Sequence, residues 1–428
     1  MNFFSVREYV KPEEVLQEDA VAIQPAAEQP YEDPLAMLAA DIKVVGAGGG
    51  GSNAVNRMIE SGLSGVQFIA VNTDAQDLTK SKAKIKLQIG TKLTGGRGAG
   101  GRPEIGEAAA NEDYALISET LRGADMVFVT AGMGGGTGTG SAPIIAKIAR
   151  DMGALTVGVI TKPFGYEAAR KMKIAEEGIK KLRDAVDTLI IIPNEHLFKI
   201  VDRKTSVSQA YRIADDVLRQ GVQGISDLIT KTGLINTDFA DVEATMKSQG
   251  DALMGIGIGS GDNRAKEAAE RAIDNPLLED TTIDGATRLL VNIAGPEDIA
   301  LVEIDEVMKA ISTKADPGVE TIHGVNFDPE LGDDIKVTVI ATGFKNTNAD
   351  ELAGGNPKKN ESASENFINL ERFNEMRGQS VRRASEGYSG ILKPKEFCDN
   401  LDVPTVIRKH NFETCVQTEK AANDGRNA

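Results

Sequence analysis

The sequence predicts an α/β fold: a parallel β-sheet, a long central helix and a smaller mixed α/β region after it. Short runs rich in β-branched residues, such as DIKVVG at 41–46 and DMVFVTA at 125–131, alternate with segments of helical periodicity. These strands are apolar throughout, as expected for strands that are buried on both faces. Aromatic residues make up only 4% of the chain, so we expect a core of aliphatic side chains.

The first region, 41–205, gives the expected order of elements. A strand from Asp41 leads to a helix that ends at Gly62, and a second strand reads VQFIAVNTD. After a glycine-rich stretch comes one helix, from Glu107 to Gly123. The strands DMVFVTA, ALTVGVIT and DTLIIIP follow, separated by helical segments. This alternation predicts a parallel sheet that is covered by helices on both faces.

Residues 206–230 predict one long amphipathic helix, because apolar residues recur there at helical spacing. Residues 231–344 alternate again between strand-like and helix-like runs, so we expect a second, mixed α/β domain there. The apolar stripe of the long helix consists of Val207, Ala210, Ala214, Val217, Leu218, Val222 and Ile225.

The two ends of the chain differ in composition from the middle. Residues 1–40 are acidic and contain Pro, Ala and Gln, and residues 345–400 are rich in Asn, Ser, Glu and Lys without a period. Both compositions predict disorder, as an extension and a flexible linker. In the last segment, 401–428, a short apolar cluster, LDVPTVIRKH, interrupts this polarity.

The charge and the cysteine content exclude several classes of protein. A formal net charge of −16 argues against nucleic acid or an anionic membrane as a direct partner. The only cysteines, Cys398 and Cys415, give no disulfide framework, which favours a reducing compartment. The first residues lack the apolar core of a signal peptide, and no run reaches the ~18 apolar residues of a membrane span. We therefore expect a cytoplasmic protein.

The run GMGGGTGTGS, Gly132 to Ser141, lies between a predicted strand and a predicted helix that has Pro143 in an early turn. Backbone N–H groups and the positive end of a helix dipole form an anion site at such a junction. Glycine leaves space for phosphate oxygens, and Thr137 and Thr139 add hydroxyl groups. A tight strand–helix turn is the alternative, but it needs only one or two glycines. The predicted phosphate-binding residues are Gly134, Gly135, Gly136, Thr137 and Gly138.

The first strand also runs into glycines. Gly46, Gly48 and Gly51 match G-x-G-x-x-G, with Asp74 a little over 20 residues further on. Taken alone, this pattern favours a Rossmann-type NAD-dependent oxidoreductase. A dinucleotide needs one pyrophosphate loop, however, and this chain has a second loop and a third cluster, GGRGAGGRPE. Several amide-lined loops suit a triphosphate better, and no G-x-x-x-x-G-K-[ST] motif of a P-loop NTPase is present.

Together, these motifs resemble the tubulin/FtsZ family of GTPases. GGGTGTGS is similar to the tubulin signature, and VNTDAQDL, RQGVQGISDLI, GLINTDFADV and NPLLED are similar to stretches of bacterial FtsZ sequences. The resemblance runs from about Asp41 to Phe344. It implies binding of GTP or GDP with Mg²⁺, hydrolysis of GTP to GDP and phosphate, and assembly into head-to-tail filaments. A non-hydrolysing structural relative of tubulin is a further alternative.

On the long helix, Tyr211 and Asp215 lie one turn apart on the same face, so a ring can stack on a base while a carboxylate accepts its N–H groups. The family has an aromatic residue and an Asp there; core packing is the alternative for Tyr211. Glu167 resembles the family's ribose-binding acid. The Arg expected four residues later is Lys171 here, with Arg170 one position early, and a solvated helix face is the alternative. The resemblance also implies nucleotide contacts at Gly49, Gly50, Gly51, Ser52, Asn53, Asn72 and Asn194.

Asp238 and Asp241 are the candidates for catalysis. They lie three residues apart in the first turn of a predicted helix, so their carboxylates project from one face. N-capping is the alternative, since acids are favoured at that position. The resemblance implies instead that this loop, together with Asn236, reaches the terminal phosphate on a neighbouring subunit.

The resemblance extends to the tail. Leu401–His410 is similar to the short segment by which FtsZ proteins bind membrane tethers and regulators, although a chance apolar cluster is the alternative. The implied location is the cytoplasmic division ring at mid-cell, without insertion into the membrane.

Overall fold

The computed structural model describes residues 40–344, except 200, 202, 203, 232, 276–282, 284 and 317. The predicted N-terminal extension (apart from Ala40), the linker and the tail at 401–428 lie outside the described residues. Within the described part of the chain, none of the helices has the length and apolarity that crossing a bilayer requires.

Strands and helices alternate along the described chain, as predicted. In the first region they are β1 (Ile42–Ala47), α1 (Gly48–Glu60), β2 (Gln67–Asn72), α2 (Ala75–Lys80), β3 (Ile85–Gln88), α3 (Thr91–Thr94), α4 (Pro103–Glu112), α5 (Tyr114–Leu121), β4 (Met126–Gly132), α6 (Thr137–Asp151), β5 (Leu155–Lys162), α7 (Ala169–Ala185) and β6 (Thr188–Pro193). They continue with α8 (Val207–Thr230), α9 (Phe239–Met246), β7 (Gly250–Gly259), α10 (Arg264–Ile273), β8 (Arg288–Gly295), α11 (Leu301–Lys314), β9 (Glu320–Phe327) and β10 (Ile335–Thr342).

Strands β1 to β6 form a parallel sheet in the order β3-β2-β1-β4-β5-β6. Val44 and Val45 are neighbours in β1 and are both fully buried, but they belong to different hydrophobic clusters. Helices α1 and α8 contribute to the cluster of Val44, whereas α4, α5, α6 and α7 contribute to that of Val45. The predicted parallel sheet with helices on both faces is therefore confirmed.

The sheet continues into the second region. β7 pairs in parallel with β6 over three residues, Thr188–Ile190, and the full order is β3-β2-β1-β4-β5-β6-β7-β10-β8-β9. β10 runs antiparallel to β7 and β8, so this part of the sheet is mixed. The sequence predicted strands and helices here but not the directions of the strands. A third cluster, including Val291 and Val337, forms its core. The domain boundaries at 205, 230 and 344 stay predictions.

The long helix α8 agrees with the prediction except in its first turn. Ala214, Val217, Leu218, Val222 and Ile225 are buried against the face of the sheet that includes Val44. Val207, expected in the same stripe, is 65% exposed. Ala210, one turn further on, is partly buried and packs against the same cluster, so only the start of α8 departs from the predicted stripe.

The single helix predicted from Glu107 to Gly123 is wrong, because the structure has two helices, α4 and α5. They meet at Asp113, whose backbone leaves the helical region with φ −106° and ψ 27°. The Asp113 carboxylate accepts a hydrogen bond from Gly90 N, 2.7 Å away. Helical periodicity gives no sign of this break, because the contact joins two residues that are distant in sequence.

Candidate functional site

The loops after β1 and β4 are neighbours at the carboxyl ends of the parallel strands, because β1 and β4 pair from Ile42↔Met126 to Ala47↔Ala131. From β1 the chain continues to β2 on one side, whereas β4 leads to β5 on the other. The strand order therefore reverses between β1 and β4. In open α/β sheets, ligands bind at this point, outside the carboxyl ends of the strands.

Both loops need glycine because their backbones touch other backbones. Gly48 has a φ of +69°, and a Cβ on it would lie 2.7 Å from Gly138 N. Gly134 has a φ of +95°, and its Cβ would lie 2.9 Å from Lys171 O. A Cβ on Gly135, in contrast, would meet no atom within 4 Å. The loop after β4 is thus fixed on one side and open on the other.

Helices α1 and α6 both begin at this point. Neither has an acidic residue in its first turn or a side chain that caps its N-terminus. Their first N–H groups therefore have no side-chain acceptor, and both helix dipoles present their positive ends here. This arrangement binds anions such as phosphate.

The start of α6 differs from the prediction. The helix begins at Thr137, so Pro143 lies inside it and not in an early turn. A Cβ on Gly140 would lie 2.1 Å from Pro103 O in α4. The first turns of α6 are therefore helical and packed closely on α4, although their glycines and threonines have low helix propensity.

The third glycine cluster, GGRGAGGRPE, closes over the N-terminus of α6. Gly98 N donates a hydrogen bond to Thr73 O at 3.3 Å, and the hydroxyls of Thr73 and Thr137 lie 2.6 Å apart. A Cβ on Gly136 would lie 2.9 Å from Ala99 Cβ. All three glycine clusters of the sequence thus converge on one place.

The polar side chains around these loops fall into two groups. Asn72 and Thr139 are buried and brace the loops: Asn72 Nδ2 donates to Asp77 Oδ2, and Gly134 N donates to Thr139 Oγ1, both at 2.9 Å. Ser52 is equally buried, but its Oγ has no hydrogen-bond partner among the described residues. An unpaired buried hydroxyl costs about 1–3 kcal/mol, so Ser52 suits a ligand. Exposed residues beside it, in the first turns of α1, are Gly49, Gly50 and Asn53.

An aromatic cluster lies beside the start of α8. Phe164 stacks on Tyr166 with ring centroids 5.2 Å apart and contacts Tyr211 and Phe198 edge-to-face. Tyr166 Oη donates to Tyr211 Oη at 3.2 Å. Tyr211 is 37% exposed, so one part of its ring packs on Phe164 while another part stays open to a ligand. Sequence reasoning missed Phe164 and Tyr166, although both follow β5 directly.

Asp215 lies one turn along α8 from Tyr211 and is half-buried. Burial raises the pKa of its carboxyl from 3.8 to about 7, although the positive charge of Arg57 opposes this rise. Its neighbour Asp216 points elsewhere, as predicted, and pairs with Arg219 at 2.7 Å. Asp215 is therefore a carboxyl whose ionised form is poorly solvated, and donors from a ligand would stabilise that form.

Asn194 follows β6 and is 4% exposed, and its Oδ1 has no hydrogen-bond partner among the described residues. A buried amide oxygen, like the hydroxyl of Ser52, normally finds a donor. The structure therefore places two unpaired polar atoms, on Ser52 and Asn194, among the residues that the sequence assigns to the nucleotide.

Glu167 is held in one position at the start of α7. Its Oε1 accepts from Phe164 N at 3.0 Å, and its Oε2 accepts from Lys171 Nζ at 2.8 Å. Burial opposes ionisation of Glu167, but these donors outweigh it and lower the pKa of the carboxyl. The next residue, Ala168, has a φ of +86°, which is strained for a residue other than glycine.

Lys171 and Arg170 occupy different surroundings. Lys171 pairs with Glu167 at 2.8 Å, and its contact with a nucleotide stays a prediction. Arg170 lines a cavity of about 360 Å³ between α4, α6 and α7, beside Glu104 and Glu177. Its contact with a nucleotide stays a prediction.

The candidate catalytic residues are exposed and use part of their hydrogen-bonding capacity locally. Asp238 is the N-cap of α9, and its Oδ1 accepts from Asp241 N at 2.8 Å. Asn236 Oδ1 accepts from Gly233 N at 2.7 Å. Asp238, Asp241 and Asn236 are all exposed. The N-capping alternative is thus correct for Asp238. The capping hydrogen bond uses only one of the four carboxylate oxygens of Asp238 and Asp241.

These acids lie far from the glycine loops. α8 carries Asp215 near its start and ends at Thr230, about 22 Å further along at 1.5 Å per residue. Thr230 lies beside Gly65, in the loop that leads into the amino end of β2. The carbonyl of Met246, at the end of α9, accepts a hydrogen bond from Thr188 at the amino end of β6. Asp238 therefore lies towards the amino ends of the strands, opposite the glycine loops. One chain does not bring the two halves of the predicted site together.

Comparison with known proteins identifies the family. Residues 41–202 match the model of the Tubulin/FtsZ family, GTPase domain, and residues 250–345 match that of the FtsZ family, C-terminal domain. The structure is similar to an FtsZ dimer from M. jannaschii, with 47% identity and a TM-score of 0.70 over 73% of this chain and 90% of that chain. This chain belongs to the FtsZ family.

More distant relatives share the fold. CetZ1 from Haloferax volcanii, in a GDP-bound monomer, is 21% identical with a TM-score of 0.60, over 80% of this chain and 99% of that one. CetZ2 from the same organism, in a GTPγS-bound protofilament, is 20% identical with a TM-score of 0.59, over 81% and 99%. The FtsZ/tubulin fold inferred from the sequence is therefore confirmed.

Within this FtsZ fold, the G-x-G-x-x-G match serves packing of α1 on β1. A Cβ on Gly46 would lie 2.4 Å from Gly51 O, and one on Gly51 would lie 2.3 Å from Thr130 O. Glycines of a dinucleotide fingerprint can also serve such packing, but the family matches identify an FtsZ-family chain and not an NAD-dependent oxidoreductase.

Proposed function

We propose that this FtsZ-family protein is a GTPase that hydrolyses GTP only when subunits join head to tail. One observation carries the proposal: the glycine loops lie at the carboxyl ends of the parallel strands and the acidic turn of α9 lies towards their amino ends, with α8 spanning about 22 Å from Asp215 to Thr230. A contact between unlike ends is heterologous, and when it does not close into a ring it forms an open filament.

The nucleotide half of the site would bind GTP through three groups of residues. The N–H groups at the starts of α1 and α6, with the hydroxyl of Ser52, would hold the phosphates. Glu167 would accept from the ribose hydroxyls, since its ionised form is stabilised in place. Asp215 would accept from guanine N1–H and its 2-amino group, a pair of donors that adenine lacks, while Tyr211 contacts the base.

The catalytic half would come from the next subunit. Asp238 and Asp241, with Asn236, would orient a water towards the terminal phosphate and contribute charge for Mg²⁺. Phosphoryl transfer depends mostly on such positioning and on charge stabilisation. Loss of the terminal phosphate would then weaken the contact between subunits, which couples hydrolysis to disassembly.

Assembly of this kind suits a filament at the mid-cell division ring in the cytoplasm. Binding of tether and regulator proteins through Leu401–His410 would attach it to the membrane without insertion, but these residues lie outside the described part of the chain. Residues 41–205, 206–230 and 231–344 would act as the GTP-binding domain, the connecting helix and the domain that carries the catalytic turn.

Mixing subunits tests the shared site. The variant Asp241→Ala should bind GTP normally, since this residue lies far from the glycine loops, but it should turn GTP over poorly by itself. Mixing it with Gly48→Ala, which should not bind GTP but retains the acids, should restore turnover, because Gly48→Ala subunits supply Asp241 to GTP that Asp241→Ala subunits hold. Turnover per subunit of the unaltered protein should also fall on dilution. A mixture that turns over no more GTP than the two variants do separately, or a rate of the unaltered protein that stays constant down to nanomolar protein, contradicts the shared site. Binding without any turnover would favour a non-hydrolysing structural relative.

The matched control is Asp262→Ala. Asp262 is an exposed carboxylate in a short turn after β7, away from α9. It should bind GTP and turn it over by itself as the unaltered protein does, without Gly48→Ala.

A further inference from the structure

A groove of about 600 Å³ lies at the amino ends of β2 and β3, outside the site described above. Its floor is apolar, with Ile59 from α1 and Val66 and Phe68 from the start of β2, and all three are only partly buried. Lys82 and Lys84, before β3, form one wall. The groove thus combines an apolar floor with positive charge, in a chain whose net charge is −16.

The positive charge belongs to a row of four lysines at the edge of the described sheet. Lys80, Lys82, Lys84 and Lys86 alternate with Ser81, Ala83 and Ile85, and all four lysines are exposed. Lys82 pairs with Glu60 at 2.8 Å, whereas Lys84 has no carboxylate partner among the described residues. Lysines on an edge strand also prevent edge-to-edge aggregation. That role accounts for the lysines, but it does not account for the open apolar floor beside them.

The chain itself enters at the same place. β1 and β2 are parallel, with Lys43 paired to Gln67. Ala40 and Asp41, just before β1, therefore lie at the amino ends of the strands, where the groove opens. Ala40 packs on the same hydrophobic cluster as Ile59, Val66 and Phe68, which places it on the face of the groove. β3 lies two strands from β1, about 10 Å away at the usual strand spacing.

The segment that precedes Ala40 matches the groove in chemistry. Residues 31–39 read YEDPLAMLA: two acidic residues, Glu32 and Asp33, come before the apolar residues Leu35, Met37 and Leu38. Nine residues reach up to about 30 Å when extended, three times the distance from β1 to β3. Residues 1–39 contain eight acidic and two basic side chains, so the extension opposes the lysine row in charge.

We propose that residues 31–39 of the same chain occupy this groove. Leu35 and Leu38 cover Phe68 and Val66, and Glu32 and Asp33 face Lys82 and Lys84. This part of the extension then packs beside α1, and its contact with the groove does not depend on the proposed GTPase activity. A second copy of the chain is the other possible occupant of the groove.

A single tryptophan reports on the groove, because the chain contains none. In the full chain carrying Phe68→Trp, the pair Leu35→Asp and Leu38→Asp should raise the acrylamide quenching constant by about twofold or more, since burial shields the ring from collisions. The matched control is the pair Val15→Asp and Leu16→Asp, two apolar-to-Asp changes far along the extension, which should leave quenching unchanged. Equal quenching in all three proteins overturns the proposal.

Cross-linking gives a second test that does not depend on Phe68→Trp. With Cys398 and Cys415 replaced by Ser, Asp33→Cys is paired with Lys84→Cys or, as a control, with Arg122→Cys. Arg122 has an exposed side chain near the start of β1, where its carbonyl accepts from Lys43, but it ends α5 on the other face of the sheet. An intrachain disulfide should form about tenfold faster in the Lys84 pair because docking raises the effective concentration. Equal rates, or a disulfide that forms mainly between chains, overturn the proposal.

Discussion

The pH dependence of GTP binding tests the proposed contact between Asp215 and guanine. Burial raises the pKa of Asp215 to about 7 in the free protein. Only the ionised carboxylate accepts from both guanine N1–H and the 2-amino group, so binding requires Asp215 to lose its proton. Lowering the pH through 7 should therefore weaken binding.

The size of the effect follows from the ionised fraction. With a pKa of about 7, roughly nine tenths of Asp215 is ionised at pH 8 and roughly one tenth at pH 6. The affinity for GTP should thus fall by about tenfold between these values, or about 1.4 kcal/mol. Above pH 8 the affinity should level off, since Asp215 is already ionised.

Isothermal titration of GTP at fixed Mg²⁺, with protein dilute enough to prevent assembly, measures this dependence. The terminal phosphate also gains a proton in this range, so Asp215→Asn serves as the control that retains only the phosphate contribution. Asp216→Asn is a second control, since Arg219 and Gln220 outweigh burial and lower the pKa of Asp216. If the parent protein and Asp215→Asn show the same slope between pH 6 and pH 8, the assignment of Asp215 to the base is refuted.

Three further predictions concern stability and the glycine loops. Because the folded pKa of Asp215 lies above its unfolded value, the folded state loses stability as the pH rises from 3.8 to about 7. Asp215→Asn should therefore be more stable than the parent by about 4 kcal/mol at pH 8 and gain nothing at pH 4 in thermal melts. Gly48→Ala should abolish GTP binding because its Cβ would meet Gly138 N, whereas Gly62→Ala, with a similar φ of +72° but free space, should retain it in the same titration. Asp238→Ala should lower the free energy of urea unfolding by about 1 kcal/mol through loss of the N-cap, and an equal loss in Asp241→Ala, which caps no N–H group, would contradict this assignment.

Local patterns in the sequence predicted most of the fold. Continuous apolar runs such as DIKVVG and DTLIIIP predicted buried parallel strands, because only strands covered on both faces lack polar positions. The patterns failed where the signal was weak or tertiary. β3 is four residues long, and the first half of β9 contains no buried residue, so neither was predicted. The break at Asp113 depends on Gly90 and has no signature of its own.

The sequence by itself determined the chemistry of the candidate site: glycines where phosphates need bare backbone, Asp215 one turn from Tyr211, and the acids before α9. These features depend on residue type and on spacing along a single helix or loop, which the sequence states directly. Only the tertiary structure decided that the three glycine clusters meet at α6, that burial shifts the pKa of Asp215, and that α8 holds Asp238 away from them. Distances between segments and the loss of water around a side chain arise from packing of the whole chain, so they are properties of the folded protein alone.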